Sequence, residues 1–176
     1  KVICLDAAHG GSDRGFQRTG DETAPAMDEA LYTAAYAREL AGQLTAMGFT
    51  VVTTRDGDTV RNAQFQDVNR DVLTRENSVT PAEAERNALL DELQARIDFC
   101  NDEQADLLIS IHFDGSSDSG DSGFSTWYAE GRPDSASSQR LAELLNQQIV
   151  AGLSATGLTV PDRGVMPEST AALRGN

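Results

Sequence analysis

The sequence predicts an α/β fold: a single open, mostly parallel twisted sheet with helices on both faces, in one domain spanning residues 1–176. Three observations lead there. Four short runs are rich in apolar and β-branched residues, and three of them are nearly continuous, as in strands covered on both sides. Helical stretches with apolar residues at helical spacing lie between them. Strands and helices alternate along the chain, as they must where a helix carries each strand back to the same end of a parallel sheet.

The first run, Val2 to Leu5, follows directly on Lys1. From Asp28 to Met47, residues Leu31, Ala34, Ala35, Leu40, Ala41 and Leu44 recur at helical spacing. Gly48 should end this helix, because glycine suits the left-handed C′ position. A second strand runs from Phe49 to Thr54, and the polar segment from Asp56 to Val79 carries no periodicity that assigns it. Thr80-Pro81-Ala82-Glu83 reads as a helix start, with a capping box and proline at the first helical position. That helix is expected to reach Asn101 and to feed a strand from Leu107 to Ile111 that ends at His112. The Gly-, Ser- and Asp-rich stretch from Asp114 to Gly123 reads as a mobile loop. A fourth strand, Phe124 to Tyr128, should place Trp127 and Tyr128 in the core. A last helix, Ser135 to Leu153, should bury Leu141, Leu144, Leu145 and Ile149. There is no internal repeat.

The composition narrows the function classes. The chain is 39% hydrophobic, ordinary for a globular domain with one core, and no apolar run approaches a membrane span. Its net charge of −14, from 28 acidic and 14 basic residues, repels nucleic acid and anionic membranes alike. Lys1 is the only lysine. An acidic, lysine-poor surface suits a high-salt habitat, and biased genome composition explains the arginine preference equally well. The abrupt start on an apolar run is expected of a mature or trimmed chain, so no targeting segment reveals the localisation. Cys4 and Cys100 are too few and too far apart for a disulfide framework or a thiolate zinc site. Two small buried side chains and a single bridge both remain open.

Chemistry concentrates at the two histidines. His9 follows the first strand in Leu5-Asp6-Ala7-Ala8-His9-Gly10-Gly11, and His112 closes Leu107-Leu108-Ile109-Ser110-Ile111-His112. In an open α/β sheet the carboxyl ends of the strands form the ligand crevice, so both imidazoles should face one site. Gly10 and Gly11 permit a tight turn there. Two histidines and a carboxylate with an open fourth position make a catalytic zinc site. Asp6, in the strand before His9, is a candidate outer acceptor that would orient its ring.

At these residues the chain resembles a known family. Val2-Ile3-Cys4-Leu5-Asp6-Ala7-Ala8-His9-Gly10-Gly11-Ser12-Asp13 is similar to the opening motif of the zinc-dependent N-acetylmuramoyl-L-alanine amidases of type 3, with Ala7-Ala8 where the family form has Pro-Gly. Ala105 to His112 resembles the strand that ends in the family's second zinc histidine. Gly48-Phe49-Thr50-Val51-Val52-Thr53-Thr54-Arg55 resembles its second strand and closing Thr-Arg, Arg96 and Asn101 fall at its helix spacings, and Arg163-Gly164-Val165 matches a late signature. The resemblance implies that His9, Glu29 and His112 bind Zn2+. Glu29 is reached by the family's interval back from Gly48, and Glu22 and Asp28 are rivals if the loop from Arg14 to Met27 is gapped differently. For an acidic residue at a helix start, a favourable contact with the helix dipole is the plainer reading.

The resemblance implies a hydrolase of peptidoglycan that cuts between N-acetylmuramic acid and the L-alanine of the stem peptide. It further implies an extracytoplasmic location, in the periplasm or cell wall or secreted, with peptidoglycan as partner. The chain is expected to act as a monomer with no nucleic acid partner and no membrane insertion. Two departures stand out. The family's proton-transferring glutamate lies on a final strand after a Leu-Arg pair; here Leu173-Arg174 is followed by the end of the chain at Asn176, so that residue is expected beyond it. Glu168 sits too early, in a turn flanked by proline, to replace it. The stretch from Arg55 to Arg96 is also longer than the family's, with an insertion over about Arg61 to Leu90 that reads as a lid, a wall-binding arm, a regulatory helix or a tolerated surface loop. A non-catalytic zinc-binding module that binds or regulates at the wall is the alternative, and a metal-free α/β domain is a third reading.

Overall fold

Side chains alternate across a strand, and β1 (Val2–Ala7) uses both of its sides. Ile3, Leu5 and Ala7 point to one face, Cys4 and Asp6 to the other, and all five are buried. The computed structural model describes residues 1–22, 25–116 and 121–168, and the chain divides into two compact units, one over residues 1–115 and one from residue 116 onward.

In chain order the first unit continues with a short antiparallel pair, β2 (Gln17–Arg18) and β3 (Met27–Asp28), then α1 (Glu29–Ala46), β4 (Thr50–Thr53), α2 (Pro81–Asp102) and β5 (Leu107–Ile111). The sheet order is β4-β1-β5, all parallel. From the central strand α1 leads to β4 at one edge, and α2 then crosses back from β4 to β5 at the other. Both crossovers being of one hand, the helices cover opposite faces.

The two faces are stabilised differently. On the α1 side Ile3, Leu5 and Ala7 pack with Ala37, Leu40, Ala41 and Leu44. Leu5 is fully buried, and burial of a side chain that size stabilises by about 2 kcal/mol. On the α2 side Cys4 forms a disulfide with Cys100. Asp6 pairs with Arg96 at 3.1 Å. Residues two apart on a strand and four apart on a helix advance by nearly the same distance, so both links fit one helix face.

The helix ends follow the sequence signals. Asp28 caps α1 by accepting the Leu31 N–H, and Gly48 leaves the helix at φ +92°. Thr80 and Glu83 form the expected capping box on α2 with Pro81 in the first turn. Residues 54–80 contain no helix or strand, so the expected insertion is irregular chain followed by the opening turns of α2. Side-chain hydrogen bonds fix it. Glu92 accepts the Arg61 and Asn62 N–H groups, Asn62 caps Gln66, and Asn87 donates to Ser78.

The second unit consists of β6 (Phe124–Ala129), α3 (Ser135–Ala155) and β7 (Asp162–Glu168), with β6 and β7 paired in parallel. The parallel, open character agrees with the sequence expectation, but hydrogen bonding divides the strands into a three-stranded sheet and separate pairs. The sequence pattern does not announce β7, since Gly164 and Pro167 interrupt it. Glu168 is consequently the last residue of that strand and does not lie in a turn. The buried positions of α3 are Ala142 and Asn146, while Leu144 and Ile149 are exposed. This corrects the expected leucine stripe. Asn146 donates to Asp162 at 2.8 Å, and Thr126 donates to the Ala142 carbonyl. Trp127 is likewise exposed and its indole N–H goes to Ser125, which corrects its placement in the core. Of the expected loop over 114–123, residues 117–120 lie outside the described residues, as do Leu173 and Arg174.

The disulfide closes a loop between residues 96 apart in sequence. Replacing Cys4 and Cys100 together by alanine is expected to lower the unfolding free energy by about 2–4 kcal/mol, read from urea unfolding of both forms. An unchanged free energy would show that the crosslink adds no stability.

Candidate metal centre

β1 and β5 are adjacent and parallel with Ala7 opposite Ile111, so the residues after their carboxyl ends emerge side by side. Because the crossover into β4 and the crossover into β5 run in opposite directions and cover opposite faces, a crevice opens between the ends of β1 and β5. His9 and His112 stand there, with ring centroids 5.2 Å apart and planes nearly perpendicular. Glu29, the first residue of α1, is 2% exposed and completes the group. Its Oε1 is 3.2 Å from His9 Nε2 and 3.3 Å from His112 Nδ1. Ligand atoms of the three residues all lie within 4.8 Å of one another.

The chain before α1 fixes the glutamate. Backbone N–H groups of Glu29 and Ala30 donate to the carbonyls of Phe16 and Arg14, and Arg14 forms a two-pronged pair with Asp28. Each carboxylate oxygen then receives one main-chain hydrogen bond at 2.8 Å, Oε2 from Phe16 and Oε1 from Phe113. Burial opposes the ionised form. The two N–H donors and the histidines outweigh it and hold the Glu29 carboxyl below its ordinary range.

His9 adopts φ +64°, a conformation uncommon outside glycine. Two buried arginines hold it. Arg96 donates to the Ala7 and His9 carbonyls, and Arg55 donates to those of Ala7 and Ala8. The imidazole Nδ1 lies 2.9 Å from Asp13 Oδ2. With the proton assigned to Nδ1, the Nε2 lone pair points toward Glu29 and His112. Burial opposes a charged His9, but the Asp13 hydrogen bond and the charges of Asp13 and Glu29 prevail and raise its pKa. The same hydrogen bond lowers that of Asp13.

Gly15 makes room at the centre. A Cβ there would stand 2.5 Å from Glu29 Oε2 and 2.7 Å from His9 Nε2. The cradle, two imidazoles and one buried carboxylate fit a borderline divalent ion better than calcium or magnesium, which take oxygen ligands. The His112 side chain is 42% exposed, so one side of the group is open to an incoming molecule.

The structure thus brings His9, Glu29 and His112 together. Asp28 caps α1 and pairs with Arg14, and Glu22 is exposed and outside the group. Asp6 is not the acceptor of the His9 ring, which corrects the sequence expectation. Its oxygens are taken by Thr54, Ser110 and Arg96, and Asp13 fills the orienting position. Sequence reasoning assigned no role to Asp13 or Gly15, although both stand within six residues of His9. A cleft of about 300 Å³ lined by Ala34, Arg38, Val51 and Arg55 contains none of the three residues.

Comparison with known proteins supplies the lineage. No curated protein matches the chain. Among solved structures it is similar to the CwlD amidase from Clostridioides difficile, solved in complex with the GerS lipoprotein, at 22% identity and TM-score 0.74, covering 100% of this chain and 77% of that one. It is also similar to AmiC2, an N-acetylmuramoyl-L-alanine amidase of Nostoc punctiforme, at 20% identity and TM-score 0.68 over 98% and 72%. The catalytic domain of CwlV from Bacillus (Paenibacillus) polymyxa var. colistinus shares 24% identity at TM-score 0.59 over 99% and 73%. At these identities the likenesses establish the fold. The sequence itself matches the family described as N-acetylmuramoyl-L-alanine amidase over residues 3–176, and the chain belongs to that family.

Proposed function

We propose that this chain is a zinc-dependent peptidoglycan amidase that hydrolyses the amide between N-acetylmuramic acid and the L-alanine of the stem peptide. The observation that carries the reading is the convergence of His9, Glu29 and His112 in a member of this family. Those three residues would hold Zn2+, with Asp13 orienting the His9 ring. When bound, the ion supplies Lewis acidity that polarises an amide carbonyl and makes water acidic near neutral pH.

The residues of the chain do the remaining work. Glu29 stays ionised and immobile because both of its oxygens are hydrogen-bonded to main chain. Asp13 keeps the His9 proton on Nδ1, away from the centre. Amide cleavage also needs a group that passes a proton to the leaving amine. None of the described residues is assigned that role. All three ligands come from one chain, which suits a monomer. Peptidoglycan as substrate implies work outside the cytoplasm, and the Cys4–Cys100 disulfide fits an oxidising compartment. Among the described residues no helix is long and apolar enough to cross a membrane.

Elemental analysis is expected to find one zinc per chain, lost in His9→Ala and in His112→Ala and retained in Glu168→Ala. Full occupancy in the His112→Ala protein would overturn the ligand assignment. Asp13→Asn should weaken zinc binding by about ten- to a hundredfold in a chelator competition while far-UV circular dichroism is unchanged. Digestion of purified peptidoglycan is expected to release stem peptides with a free L-alanine amino group, and His112→Ala should abolish the release. Zinc binding and wall binding without release would identify a non-catalytic wall module instead.

A further inference from the structure

The first helix carries a stripe of side chains that begins inside the histidine group and ends in solvent. Glu29, Tyr32 and Tyr36 follow one another at spacings of three and four, so they lie along one face of α1. Glu29 is 2% exposed, Tyr32 40% and Tyr36 57%. The stripe extends about 10 Å along the helix axis. Side chains on a helix lean toward its N-terminus, which on α1 is the end that carries Glu29.

Phe113 joins this stripe to the histidine group. It follows His112 directly, and its backbone N–H donates to Glu29 Oε1 at 2.8 Å. Its ring centroid lies 4.7 Å from that of Tyr36 at an interplanar angle of 61°, and 6.1 Å from that of Tyr32 at 57°. Tilted and edge contacts of this kind are the favoured packing of aromatic pairs, so the three rings form one cluster. The chain after Phe113 is held from the other side, because the Phe16 ring lies against Gly115 and would collide with any Cβ there. Two tyrosines this open are not core residues. Contiguous exposed aromatic surface marks a binding surface, and this one is continuous with the open side of His112.

We propose that Tyr32, Tyr36 and Phe113 form a ledge on which a neutral N-acetylated sugar ring of the wall glycan stacks. The inference rests on the amidase reading for its ligand and adds which half of the substrate this face recognises. A pyranose presents a face of C–H groups that packs on an aromatic ring, and its hydroxyl and acetamido groups hydrogen-bond to tyrosine O–H. Tyrosine supplies such contact area at small entropic cost, because only two side-chain torsions are fixed. Charge selects between the two halves of the substrate. The chain carries a net −14 and Asp114 follows Phe113, so the carboxylates of a stem peptide are repelled here while an N-acetylated sugar is not. The ledge therefore takes the glycan side of the scissile amide.

Isothermal titration of a neutral, peptide-free tetramer of β-linked N-acetylglucosamine into the zinc-loaded protein tests the ledge without relying on cleavage. The expected result is saturable binding, weakened about five- to tenfold by Tyr36→Ala and by Tyr32→Ala, and about twofold or less by Tyr36→Phe, which keeps the ring. Trp127→Ala, which removes an exposed aromatic of the other unit, should leave it unchanged. Zinc content and far-UV circular dichroism should stay at parent values in every variant, which separates lost stacking from lost folding. On peptidoglycan, Tyr36→Ala should raise KM about five- to tenfold and leave kcat unchanged. The ledge is overturned by absence of saturable tetramer binding in the parent, by undiminished binding in both alanine variants, or by an equal loss in Trp127→Ala. A stem peptide headed by L-alanine that loses affinity in Tyr36→Ala while the tetramer does not would overturn the choice of the sugar. Tyrosine-dependent tetramer binding without release of stem peptides from the wall supports the ledge and sinks the amidase reading alone.

Discussion

Asp6 is the point at which the sheet, the second helix and the histidine loop meet. Its Oδ1 accepts the Thr54 hydroxyl from the end of β4 at 2.7 Å and the Arg96 guanidinium from α2, and its Oδ2 accepts the Ser110 hydroxyl of β5 at 2.6 Å. Three strands and a helix are thereby joined through one buried carboxylate. Removing one partner of such a pair leaves an uncompensated charge and costs on the order of 3–5 kcal/mol, so the arrangement is held as a whole or lost as a whole. Arg96 carries it onward by donating to the His9 carbonyl.

This explains how a histidine can sit in a left-handed conformation at the mouth of the sheet. The carbonyls of Ala7, Ala8 and His9 turn inward after β1, and Arg55 and Arg96 donate to them, with the Thr33 hydroxyl a further donor to that of Ala8. Strain of about 1–3 kcal/mol at one residue persists where its surroundings over-determine it, and here two guanidinium groups do so. The Cys4–Cys100 disulfide lies one helical turn from Arg96 and fixes α2 against the same strand. The apolar face of β1 supplies burial toward α1 while the opposite face supplies position, and the site depends on both.

The group of His9, Glu29 and His112 shows the same division between functional side chain and support. His9 and His112 are placed by the ends of two adjacent strands, and Glu29 by the start of the helix between β3 and β4. None is positioned by its own side chain alone. Asp13 orients one ring, two main-chain N–H groups orient the carboxylate, and Gly15 keeps the centre clear. The insertion follows the same logic in polar form, since Asp91 and Glu92 on α2 hold irregular chain by accepting its backbone N–H groups.

What the sequence determined by itself was local. Thr80-Pro81-Ala82-Glu83 and Gly48 set helix ends because capping is a short-range hydrogen-bond and backbone problem. The apolar runs set β1 and β5, and with them the positions of both histidines. Only the tertiary structure decided the rest. It placed Asp13, rather than Asp6, against the His9 ring, because Asp6 faces α2 and is taken by partners far away in sequence. It turned Leu144, Ile149 and Trp127 outward, and it closed the disulfide between residues 96 apart. Residues 54–80 carry no periodicity because their order comes from side-chain to main-chain hydrogen bonds with α2, and such bonds leave no repeating pattern in a sequence.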